Sequence, residues 1–188
     1  HALTLPEGFR SNIFAQGLGH ARNLVVAPDG SVFLAQPGVG EVTLLRDSNG
    51  DGVADIARPY LTGLERPHGL AVHNGFLYVA DLAAVRRVRI GAGERPEAAP
   101  EVLTPRGALG PGTGHWTRNL AVGRDGSLYV AIGSAGNIGV EPEPRATVQV
   151  FGPDGGNRRT FSSGLRNPVG ITFRPGTDEL YVVVNERD

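Results

Sequence analysis

Histidine, arginine and asparagine recur at one place in a repeating phrase: His20, Arg22 and Asn23, then Arg66 and His68, then His115, Arg118 and Asn119, then Arg166 and Asn167. Each set stands just before a short apolar run. An imidazole supplies a base near neutral pH and guanidinium groups supply fixed positive charge, a set suited to taking a proton beside a developing anion. The same residues can equally serve as loop residues that bond to backbone. His115 stands apart because it follows a Gly-rich loop and precedes Trp116, the only tryptophan, whose ring can either stack on a planar ligand or pack.

A second set lies in a polar loop. Asp47, Asn49, Asp51 and Asp55 hold positions 1, 3, 5 and 9, with Gly52 at position 6, a spacing that suits a hard divalent cation such as calcium. Position 12 is Arg58, where a bidentate Glu usually stands. Two readings follow: a shortened structural calcium loop, or a turn rich in side-chain-to-backbone bonds.

The elements that must position these residues are strands. An apolar strand, a Gly-bearing turn and an aromatic-centred strand recur as LVVAPDGSVFL, LAVHNGFLYV, LAVGRDGSLYV and ITFRPGTDELYV. Their aromatic residues Phe33, Tyr78, Tyr129 and Tyr181 are 45, 51 and 52 residues apart, close to the roughly 40 to 50 residues of a propeller blade. Asn74-Gly75 between two such runs is a strong hairpin signal. No helical periodicity of useful length appears, so the pattern predicts an all-β chain, a β-propeller of about three and a half blades, approximately residues 17–62, 63–111, 112–163 and 164–188. In such a ring the segments before the inner strands meet at one end of a central channel. Residues 11–15 alternate like a strand that could close the last blade. An open arc leaves edges uncovered, so the pattern also predicts cover from a remaining propeller half or from self-association; a closed four-bladed ring is the alternative.

A net charge of −1 offers no global attraction to nucleic acid, and no apolar stretch is long enough to span a membrane. All 18 basic residues are Arg, and Cys is absent, which excludes disulfides and thiolate metal sites. His1-Ala2 reads as the tail of a signal-peptidase site or a tag remnant, and the first reading predicts a periplasmic or secreted protein.

LPEGFR, DSNGDGVAD, GLERPHGLAV, GHWTRNLAVGRDGSLYVAIG and GLRNPVGITF resemble the glucose/sorbosone dehydrogenase family, six-bladed propellers that use pyrroloquinoline quinone (PQQ) and calcium. The resemblance covers essentially the whole chain and implies its N-terminal half. By that resemblance His115 matches the general base, Arg166 and Asn167 match a pair beside the quinone, and main-chain carbonyls near Glu186 and Arg187 correspond to calcium ligands. Arg66, His68, Trp116, Arg118 and Asn119 are then expected to line the substrate channel. Gly114 stands where the glucose-oxidising branch has an acidic neighbour of the base, and the family's quinone-contacting Lys has no counterpart, the chain having no Lys.

The reading implied is a sugar dehydrogenase acting on a sugar hydroxyl or hydrated aldehyde. Its rivals are a non-catalytic binding scaffold and a calcium-dependent lactonase-type propeller, for which Glu65 is the only acidic candidate in the inner segments.

Overall fold

The computed structural model describes residues 3–186, so His1, Ala2, Arg187 and Asp188 lie outside it. Strands β1 (Asn23–Val26), β2 (Val32–Gln36), β3 (Glu41–Arg46) and β4 (Ile56–Leu61) form a first antiparallel sheet. A second holds β5 (Gly69–His73), β6 (Phe76–Ala80), β7 (Val85–Arg89) and β8 (Glu101–Val102), and a third β9 (Arg118–Val122), β10 (Leu128–Ile132), β11 (Thr147–Phe151) and β12 (Arg159–Ser163). Strands β13 (Pro168–Phe173) and β14 (Leu180–Val184) pair as the fourth. Each sheet is a simple meander, and β1, β5, β9 and β13 pack side by side as inner strands. The chain is all β and forms a partial β-propeller; among the described residues there is no helix, hence none long and apolar enough to cross a membrane.

Sheet-on-sheet packing explains the strand sequences. Central strands such as β6 (FLYVA) are covered on both faces and read as almost continuous apolar runs, whereas β12 at the outer edge alternates. Asn74 and Gly75 both take left-handed φ angles of 49° and 76°, which turns β5 into β6 in two residues. One core cluster fills the space between the first and second sheets around Phe33, Leu44 and Leu77. Another joins the second and third around Tyr78, Leu128 and Phe151. Full burial of such side chains contributes about 1.5–3 kcal/mol each. On the end sheets, Leu24, Val26, Tyr181 and Val183 are exposed.

Near the axis the inner strands touch. A Cβ on Gly69 would sit 2.4 Å from the Arg118 carbonyl oxygen and 2.8 Å from Leu120 Cβ, so only glycine lets β5 approach β9 this closely. Asn23 and Asn119 stand at the corresponding position of the first and third sheets. Asn23 Nδ2 donates to His68 O (3.1 Å) and Asn119 Oδ1 (3.3 Å), while Asn119 Nδ2 donates to Val169 O. Two amides thereby tie all four sheets together.

The strand expected at residues 11–15 does not form. That segment finds no ladder partner; Phe14 O instead accepts one bond from Ala54 N (2.7 Å), and the Asn12 side chain donates to Gly52 O.

Candidate functional site

Strand register brings the polar segments to one end. Asn23 pairs with Ala35, Gly69 with Ala80, Arg118 with Ile132 and Pro168 with Val184. The residues just before these inner strands therefore gather at one mouth of the channel. Residues 47–55 lie between β3 and β4, beyond the Arg46–Ile56 pair, at the opposite end of the first sheet.

His115 is fixed by the loop after β10. Its backbone N donates to Ser134 O (3.0 Å), and its Nδ1 lies 3.1 Å from Ser134 O and 3.0 Å from Ser134 Oγ. A carbonyl only accepts, and the Ser134 hydroxyl already donates to Gly136 O (2.5 Å), so both partners of Nδ1 are acceptors. In the neutral ring Nδ1 therefore carries the proton and Nε2 keeps its lone pair, the tautomer a general base needs.

Ser134 also joins His115 to the next sheet. Its backbone N donates to Arg166 O (2.8 Å). The Arg166 guanidinium donates to Asn185 O (3.0 Å) and Asn137 Oδ1 (2.7 Å), and Arg166 N donates to Glu186 Oε1 (3.3 Å). Ser134, Asn137, Arg166 and Glu186 line a cavity of about 170 Å³. Beside it, buried Nε of Arg166 and Oδ1 of Asn167 have no partner among the described residues.

Gly114, just before the base, has φ 63°, and a Cβ there would meet Ala135 O at 2.1 Å. An acidic side chain at this position does not fit the loop. In the loop that carries Ser134, Glu141 accepts from Ala135 N (2.8 Å) and Gly136 N (2.9 Å). Those amides, Gly136 first, then Arg145 and His115, hold it below the usual carboxylate range.

Trp116 turns the other way, toward the first two sheets. The Arg66 guanidinium stacks 3.9 Å from the ring centroid, that of Arg22 lies 5.9 Å away, and His68 meets the ring edge-on at 5.7 Å. Arg66 has φ 52°, a conformation costing a non-glycine residue about 1 kcal/mol or more. Together with His20, Pro37 and Gly38, the two arginines and the indole line a cleft of about 330 Å³. His68 is buried, and its Nδ1 has no partner among the described residues; burial, helped by the Arg22 charge, pushes its pKa down to about 4, so it is neutral.

Two expected channel residues do other work. Arg118 is 1% exposed and donates to the carbonyls of Trp116 (2.9 Å), Thr117 (3.2 Å), Gly110 (3.4 Å) and Pro111 (2.7 Å). Burial, then the neighbouring Arg145 charge, lowers its pKa to about 10, leaving it charged at neutral pH with only carbonyl dipoles for company. Arg145 donates to Pro111 O (2.5 Å) and Thr113 O (2.7 Å), so two guanidinium groups shape the Gly-rich loop that delivers His115. Asn119 is spent on the inter-sheet clamp. Ser134, Asn137, Glu141 and Arg145 escape sequence reading because they come from a long loop with no spacing rule.

The acidic loop satisfies itself. Asp47 accepts from Gly50 N (2.7 Å), Asp51 N (3.3 Å) and Gly52 N (2.8 Å), Asn49 accepts from Asp51 N (2.9 Å), and Asp55 accepts from Ser48 N (2.8 Å). Among the described residues no three His, Asp or Glu side chains gather as a metal site. Glu65 pairs outward with Arg106 (2.6 Å). Arg187, expected near a calcium position with Glu186, lies outside the described residues.

A family model described as TrAA12-like matches residues 3–188. No curated protein sequence matches the chain. Among solved structures, the chain is similar to the holo PQQ domain of pyranose dehydrogenase from Coprinopsis cinerea, with TM-score 0.77 and 23% identity over 90% of this chain and 44% of that one. It is similar to a family AA12 carbohydrate-active enzyme from Trichoderma reesei, with TM-score 0.80 and 20% identity over 98% and 50%. A third likeness is to a putative oxidoreductase (glucose dehydrogenase) from Thermus thermophilus, with TM-score 0.68 and 24% identity over 93% and 61%. The chain thus spans about half the length of these structures, and at such identities the likeness establishes the fold.

Proposed function

We propose, for a chain that belongs to the TrAA12-like family, that it carries the general base and one wall of the cofactor seat of a PQQ-dependent sugar dehydrogenase. The observation that carries this reading is the tautomer that Ser134 imposes on the neutral His115 ring, with Nε2 free among the described residues at the same channel mouth as Arg166.

His115 Nε2 takes the proton of a sugar hydroxyl or hydrated aldehyde, and Nδ1–H, held by Ser134, steadies the imidazolium that results. PQQ, when bound, supplies the two-electron acceptor for the hydride leaving the same carbon. Its fit to this chain is supported by the unpartnered Arg166 Nε and Asn167 Oδ1, since its carboxylates and carbonyls accept from a guanidinium and its pyrrole N–H donates to an amide oxygen. The fixed Arg166 charge favours negative charge at this mouth. For calcium, the described residues bring here the carboxylates of Glu186, bonded to Arg166 N, and Glu141, bonded to Ala135 N and Gly136 N, and no three His, Asp or Glu side chains gather as a metal site. Export to the periplasm or medium, and cover of the open faces by further propeller sheets, belong to the same proposal.

In the complete protein loaded with PQQ, His115→Gln is expected to lower kcat with sugar by about 10²–10⁴ while PQQ binding, followed by titration, persists. A kcat within about tenfold of wild type refutes the base assignment.

A further inference from the structure

We infer that the Trp116 cleft is a subsite for the carboxylate of an acidic sugar, so that the substrate class of this site is uronate-like rather than neutral. This deepens the dehydrogenase reading and rests on it for the meaning of the site, although the binding itself can be tested apart.

Adjacent residues divide the channel mouth. His115 packs toward Ser134 and the fourth sheet, while Trp116 packs toward Arg66 and Arg22 of the second and first. His115 itself does not line the Trp116 cleft, so base and cleft are neighbouring sides of one mouth joined by adjacent residues. Among the described residues neither Arg22 nor Arg66 forms an ion pair, although nine other arginines do. The Arg66 guanidinium lies over the indole with its carbon 3.9 Å from the ring centroid, and a guanidinium presents N–H pairs whose fork matches a carboxylate. The neutral His68, edge-on to the indole, adds no competing charge. At about 330 Å³, the cleft is at the small end of the range for small-molecule sites, the size of a monosaccharide rather than a polymer.

Trp116 is the only tryptophan of the chain, so its fluorescence reports on this cleft alone. D-Galacturonate titrated into the 188-residue chain is expected to change Trp116 emission with an affinity at least about tenfold above that of D-galactose. Arg22→Gln and Arg66→Gln each weaken galacturonate about tenfold and leave galactose unchanged, with far-UV circular dichroism checking the fold and Arg22→Lys retaining part of the preference. Equal affinity for the two sugars, or galacturonate binding insensitive to both substitutions in folded variants, overturns the inference. The quinone is also a polycarboxylate, and calorimetric titration of PQQ separates the sources. PQQ binding that survives both substitutions and persists under saturating galacturonate supports a sugar subsite; PQQ that competes with galacturonate and is lost with Arg22 and Arg66 makes the pair a cofactor seat and overturns it. Failure of the PQQ-loaded protein to oxidise any sugar, with the galacturonate preference intact, sinks the dehydrogenase reading and not the subsite.

Discussion

Acid should weaken this fold before its carboxylates begin to titrate, because His68 is folded in as a neutral group. Its pKa falls from an ordinary 6.5 to about 4, first through burial and then through the Arg22 charge. Between these values the unfolded chain binds a proton that the folded chain refuses, so stability is complete above pH 6.5 and declines as pH falls toward 4. At about pH 5 an unfolded imidazole is almost wholly protonated and the folded one about a tenth, which costs about 2 kcal/mol relative to about pH 8. Urea unfolding at about pH 8, 6.5 and 5, run on wild type and His68→Gln, measures this directly. The variant should lose that share of the pH dependence whatever its stability in mild alkali. Carboxylates held low, such as Asp47, Asp125 and Glu141, lose their contribution mainly around and below their ordinary values of 3.8 and 4.5, at the acid edge of this window. Identical slopes in the two proteins, or an NMR titration of His68 near its ordinary value, would refute the burial argument.

Three further outcomes test the frame around the site. Asn119→Ala removes the donor to Val169 O and the acceptor for Asn23, and should lower stability in urea by about 1–3 kcal/mol. Gly69→Ala puts a methyl 2.4 Å from the Arg118 carbonyl and should cost about 1–3 kcal/mol or more while broadening Trp116 emission; a neutral effect would show that the inner strands can separate. Asp47→Ala strips the acceptor from three backbone amides and should lower Tm, followed by thermal circular dichroism; an unchanged Tm would show that the loop's internal bonds contribute nothing to the fold.

The repeat was legible because burial between sheets writes itself into the chain: β6 and β10 are apolar on both faces, and Gly turns such as Asn74-Gly75 mark each hairpin. The gathering of His115, Trp116, Arg66 and Arg166 at one mouth was legible for the same reason, since equivalent places in successive blades face one axis. Roles within the gathering were not. Arg118 and Asn119 carry the same residue types and spacing as channel groups, yet one is buried under four carbonyls and the other clamps neighbouring sheets. The residues 11–15 strand failed because alternation describes a strand's faces and says nothing about whether an edge is there to pair with.

Sequence alone determined the periodic β architecture and which segments share an end of the channel, both consequences of patterns about 50 residues long that backbone pairing must obey. Tertiary structure decided everything that turns on a few ångströms. It selected the His115 tautomer through two acceptors on Ser134, it sent Trp116 away from its neighbour to lie beneath Arg66, and it tied Glu141 to the amides that follow Ser134. Side-chain direction and hydrogen-bond partners depend on how close the sheets come at the axis, and that separation is set by packing rather than by spacing along the chain.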